Sequence, residues 1–132
     1  MKTILVVDDD ADALETAHMI LTCHGYKSIA CSDISTALTL LASRETLDLV
    51  IIDLHMPEMN GLELHARIKE LRPGLPCIMT TGDMSVESFL NAINSGVFEY
   101  FNKPYKSTKL LAVVAAALKE STMISRQADQ RS

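Results

Sequence analysis

Apolar residues fall along this chain in two alternating rhythms. Short strand-like runs, mostly apolar, occupy residues 4–7, 28–31, 49–52, 77–80 and 97–101. Between and after them, segments with apolar positions spaced at helical period span residues 11–24, 34–43, 61–71, 86–95 and 107–119. Strands alternating with helices predict an α/β domain with a parallel sheet. The runs Ile4-Leu5-Val6-Val7 and Leu49-Val50-Ile51-Ile52 lack any polar alternation, as expected of central strands covered on both faces.

The punctuation agrees. Asp33, Asn60 and Ser85 sit where helix N-caps are needed, and Gly25 and Gly96 where helices stop. Pro73-Gly74 closes the third helix. Right-handed crossovers then leave few topologies, led by a doubly wound, flavodoxin-like five-stranded sheet of order 2-1-3-4-5.

Strand ends carry the chemistry. Ligands of such sheets bind at the carboxyl edge. The first strand ends in Asp8-Asp9-Asp10, the third in Asp53, the fourth in Thr81-Gly82 and the fifth runs into Lys103-Pro104. The acids Asp8, Asp9 and Asp53, a hydroxyl and an ammonium should therefore meet on one edge. Hard oxygen ligands suit Mg²⁺, which with a lysine neutralises a phosphoryl group in transfer. A carboxylate can serve as the nucleophile, and Asp53 is central. Asp10 reads instead as the acidic start of the first helix. Thr80 competes with Thr81, since neighbours on a strand point to opposite faces; Thr81 is preferred because it abuts Gly82.

Composition bounds the alternatives. With 132 residues, 48% hydrophobic and 22% charged, the chain is one globular domain, and the net charge of −5 argues against direct nucleic-acid binding. Cys23, Cys31 and Cys77 are odd in number without C-x-x-C spacing, so a reducing cytoplasm and core positions are expected. The first apolar run is too short for a signal core or a membrane span. Residues 121–132 are polar, a tail or the start of a linker after a domain of residues 1–120. His18, His24 and His65 lack ligand spacing and read as solvated.

Taken in order, Val-Val-Asp8-Asp9, Ile-Ile-Asp53-Leu-His-Met-Pro57, Asn60-Gly61-Leu62-Glu63, Thr81-Gly82 and Lys103-Pro104 resemble the CheY-like receiver domain of two-component response regulators, from residue 3 to about 119. The resemblance implies that Asp53 accepts phosphate from a sensor histidine kinase or a His-containing phosphotransfer protein. It implies Mg²⁺ held by Asp9, Asp53 and the backbone carbonyl of His55, with Asp8 acting through water. It makes Thr81 the switch hydroxyl, Tyr100 the switch aromatic and Lys103 the phosphate-pairing lysine. His55 and Asp83 fall on positions that tune phosphate lifetime. The domain would be no enzyme in the ordinary sense, but a phosphoacceptor promoting its own phosphorylation and dephosphorylation. The face of the fourth helix, fifth strand and fifth helix would carry the output.

Two rivals fit less well. An aspartate-nucleophile phosphatase resembling the haloacid dehalogenases wants a second acid where His55 stands. A flavodoxin-type carrier needs a phosphate-cradling loop where Asp8-Asp9-Asp10 would repel phosphate. On the last helix, Leu110, Val114, Ala117 and Leu118 form the expected inner stripe. Ala112, Val113 and Ala116 would then face outward, as a partner surface such as a homodimer's or simply as good helix formers.

Overall fold

A computed structural model describes the backbone of residues 1–82 and 85–131 and the side chains through Lys119. The elements follow in strict alternation: β1 Thr3–Val7, α1 Ala11–Cys23, β2 Lys27–Cys31, α2 Ile34–Ala42, β3 Leu49–Asp53, α3 Gly61–Leu71, β4 Cys77–Thr81, α4 Val86–Ser95, β5 Glu99–Asn102 and α5 Ser107–Arg131. The five strands form one parallel sheet in the order β2-β1-β3-β4-β5. Among the described residues, no helix is long and apolar enough to cross a membrane.

Every residue of β1, β3 and β4 is buried, whereas β2 at the sheet edge is mostly exposed or half-buried. The unbroken apolar runs are explained by two cores. Ile4, Val6, Leu49, Ile51 and Ile78 pack with Ala17 and Leu21 of α1 and Leu110 and Val114 of α5. Leu5, Val7, Val50 and Ile52 point the other way, onto Ile34 and Leu41 of α2 and Leu64 and Ile68 of α3. Alternate residues of each strand thus serve opposite layers. A smaller cluster, with Leu54, Met79, Ala92 and Tyr100, seats α4.

Local chemistry starts and stops the helices as expected. Asp33, Asn60 and Ser85 accept from the backbone amides of Thr36, Glu63 and Ser88. Gly96 takes the left-handed conformation, φ +91°, that ends α4 at little cost to glycine. A longer-range device closes α2: Arg72 donates to the carbonyls of Leu40, Leu41, Ser43 and Glu45, at 3.4, 2.9, 2.9 and 2.8 Å.

Several expectations need correction. Strand β5 starts at Glu99 rather than 97, because the chain is still leaving the Gly96 turn; ladder pairing to β4 begins at Glu99↔Ile78. Helix α5 runs to Arg131 rather than 119. Neither glycine nor proline occurs from 107 to 131, and a polar composition does not stop a helix. Val113 does not face outward: it is only 7% exposed, in the α1–α5 core. Positions 110, 113, 114, 117 and 118 make one broad stripe, leaving Ala112 and Ala116 outside. His65 is not solvated but 3% exposed, since Gly61, Leu64, His65 and Ile68 share the inner face of α3. Burial, then the charge of Lys69, holds its imidazole below the usual histidine value. His18 is half-buried against the Ser28 hydroxyl, and His24 is exposed. Cys31 and Cys77 are core residues, but Cys23 is exposed at the end of α1.

Candidate functional site

The register of the sheet gathers the acidic residues. Val7 pairs with Ile52, so the next residues, Asp8 and Asp53, leave β1 and β3 at the same level. One oxygen from each of Asp8, Asp9 and Asp53 lies within 4.8 Å of the others; Asp8 and Asp53 are buried and Asp9 is exposed. Lys103 arrives from the end of β5. Its Nζ lies 2.9 Å from Asp8 Oδ2 and 3.4 Å from Asp53 Oδ2.

Hydrogen bonds fix this arrangement. Asp53 Oδ1 accepts the His55 amide at 3.3 Å, and Asp8 Oδ1 accepts the Asp10 amide at 3.0 Å. Asp10 turns away to cap α1, accepting from Asp12 and Ala13, as its sequence position suggested. The Lys103 amide donates to the Thr81 carbonyl at 2.7 Å, and the Lys103–Pro104 bond is cis. Gly61 is required by crowding. A Cβ there would meet Leu54 Cα at 2.8 Å and the Asp53 carbonyl oxygen at 3.0 Å, so only glycine lets α3 begin so close to the β3 end.

Burial and the Asp8 charge push the Asp53 carboxyl above its usual range, against the opposing pull of Lys103 and the His55 amide. For Lys103, burial alone would lower the ammonium. The hydrogen bond and charge of Asp8, joined by Asp53, outweigh it and hold Lys103 above the ordinary lysine value. Lys103 therefore stays charged at neutral pH. Three carboxylates against this one ammonium leave net negative charge, which fits a divalent cation bound through oxygen.

Thr81 is fully buried at the end of β4, and Thr80, paired with Asp53, is buried as well. By strand alternation Thr81 shares a sheet face with Met79, whose register partner is Tyr100. Tyr100 is 3% exposed and lies against Phe89 of α4, ring centroids 6.0 Å apart. Its hydroxyl is buried without a hydrogen-bond partner among the described residues. His55 is exposed at the rim. Asp83, its expected counterpart, lies outside the described residues.

The site opens into a cleft of about 610 Å³, lined by Asp53, His55, Gly82 and Lys103 together with Asp10, Asp12, Ala13, Thr16, Pro104 and Tyr105. Asp12, Ala13, Thr16 and Tyr105 were not picked out from sequence. Tyr105 follows the Lys103-Pro104 motif directly, so its position was the available signal. The α1 residues become neighbours only through packing.

Residues 4–115 match the family model of the response regulator receiver domain. The chain belongs to that family. A receiver domain of Methanospirillum hungatei, a solved structure, is 32% identical with a TM-score of 0.87, covering 93% of this chain and 98% of that one. The transcriptional regulatory protein GlrR of Escherichia coli is 36% identical over 118 residues, which are 89% of this chain and 26% of that protein. The response regulator TodT of Pseudomonas putida is 31% identical, again over 89% of this chain and 52% of its own length. This receiver domain thus spans about a quarter to a half of these two curated relatives. Its general function is that of a phosphorylation-controlled switch in two-component signalling.

Proposed function

We propose that Asp53 is the phosphoacceptor of this receiver domain and takes its phosphoryl group from a phosphohistidine of a sensor kinase or phosphotransfer protein. The supporting observation is the contact set of Asp53: a buried carboxylate beside Asp8 and within 3.4 Å of Lys103 Nζ, at the mouth of a cleft. A carboxylate oxygen of Asp53 forms the bond to phosphorus. The donor's N–P bond breaks, and its electron pair returns to the imidazole nitrogen. Lys103, charged at neutral pH, exchanges part of its carboxylate contact for the new phosphoryl oxygens.

Asp8, Asp9, Asp53 and the backbone carbonyl of His55 would hold Mg²⁺. The bound ion supplies charge neutralisation to the incoming phosphoryl group. The acyl phosphate adds charge and acceptor oxygens where Thr81 can donate its hydroxyl. Thr81 and Tyr100 stand on one sheet face, and Tyr100 touches α4. Movement of Thr81 would therefore alter the α4–β5–α5 face, a two-state element biased by a local charge event. We assign the kinase-facing chemistry to the cytoplasm, and residues 121–132 to a tail or the start of a linker after the domain of residues 1–120. His55 and Asp83 would set the phosphate lifetime.

Incubation with Mg²⁺ and acetyl phosphate should add one phosphoryl group by intact mass, and chelation of the metal should abolish it. In the same assay, His55→Asn should change the half-life of the adduct. An unmodified wild-type mass would refute the phosphoacceptor reading. An unchanged half-life would remove His55 from the lifetime role.

A further inference from the structure

The cleft is larger than its phosphoryl end requires. A phosphoryl group has the bulk of about two or three waters of ~30 Å³ each, whereas the cleft holds about 610 Å³. The rest of the cleft, its arm, is the part lined by the first turns of α1 and by the Pro104-Tyr105 corner. Its walls include Ala13, Thr16 and Pro104. Tyr105 is a fixed wall: half-buried, its ring meets Phe101 edge-on, with centroids 5.2 Å apart. Two acids border the arm, and they differ. The Asp10 carboxylate is committed to the α1 amides, while Asp12 stands exposed in the first helical turn.

We propose that this arm seats the leaving group of the phosphodonor, and that Asp12 biases the domain toward donors whose leaving atom is a cationic nitrogen over acyl phosphates. The inference rests on Asp53 being the phosphoacceptor. In phosphoramidate, an ammonium nitrogen carries the phosphoryl group. The Asp53 oxygen bonds to phosphorus, the N–P bond breaks, its electron pair stays on nitrogen and ammonia leaves. The nitrogen approaches as a cation, and a carboxylate beside its path attracts it. A protonated phosphoimidazole presents the same feature. In acetyl phosphate the O–P bond breaks and acetate departs with the electron pair, so negative charge grows in the arm and the same carboxylate opposes it. An exposed neighbouring unit charge changes such rates by about two- to ten-fold.

The test compares rate constants for phosphorylation of the full chain by phosphoramidate and by acetyl phosphate, at one Mg²⁺ concentration and ionic strength. Wild type, Asp12→Asn and Asp12→Lys are measured together. The phosphoramidate-to-acetyl-phosphate ratio should fall about two- to ten-fold in Asp12→Asn, and further in Asp12→Lys. Both donors share Asp53, Lys103 and the metal, so general losses of activity or folding cancel in the ratio. A ratio unchanged in both variants overturns the inference while leaving the phosphoacceptor reading intact. Failure of both donors to label wild type defeats that reading and this inference with it.

Discussion

Asp53 is held at an energetic disadvantage in the folded state. Burial and the neighbouring Asp8 charge raise its carboxyl above the ordinary value of 3.8. The sign of the consequence is set by linkage. Below pH 3.8 the group is protonated whether the chain is folded or not, and it contributes nothing. As pH rises from 3.8 towards the raised folded value, ionisation favours the unfolded chain, and the penalty is complete above that value. Asp53→Asn should therefore melt above wild type at pH 7 in metal-free buffer, with the gap closing towards pH 3. Thermal denaturation at several pH values checks this; a variant less stable than wild type at pH 7 would show that Lys103 outweighs burial. The meeting of Asp53 with Lys103 and the caps Asp33, Asn60 and Ser85 were legible in the sequence because both follow from a position at a strand or helix end. His65 and Tyr105 were not, because their surroundings are made by other elements.

Helix α3 is the joint of one side of the sheet. It buries Leu64, His65 and Ile68, and its Lys69 donates to the Ser95 carbonyl at the end of α4. At its own end, Arg72 grips four carbonyls around the close of α2. Charge-assisted bonds of this kind cost more to lose than neutral ones. Arg72→Ala should destabilise the domain by about 2 kcal/mol in urea unfolding, and a change below about 0.5 kcal/mol would show the grip to be incidental. No local pattern announces such a contact, since 27 to 32 residues separate the partners. The apolar surface of α4 is a related case. Val86, Phe89, Leu90 and Ile93 fall at helical spacing and all are exposed, while Ala92 is the buried residue of this helix. Periodicity identifies an apolar face but not whether the domain itself covers it. The same ambiguity reversed the reading of Val113, which joins the core while Ala112 and Ala116 stay exposed on α5.

At the scale of the whole molecule, the strand order places every strand-end residue of interest on one edge, and that was readable from the alternation of runs alone. The extent of α5 was not, because a helix can continue through polar sequence without a marked signal. The switch account links the site to the α4–β5–α5 face through Thr81 and Tyr100. Thr81→Ala should still accept phosphate, but its amide NMR shifts on phosphorylation should stay near the site and leave α4 and β5 unmoved. Wild-type-sized shifts at α4 and β5 would break that link. The central claim is the identity of the nucleophile. It is tested most directly by phosphorylating the chain with Mg²⁺ and acetyl phosphate, trapping the acyl phosphate with borohydride and mapping the reduced residue by peptide mass spectrometry. The account predicts a single reduced position, at Asp53, absent from Asp53→Asn; reduction at Asp8, Asp9 or any other carboxylate, or labelling retained in Asp53→Asn, would contradict it.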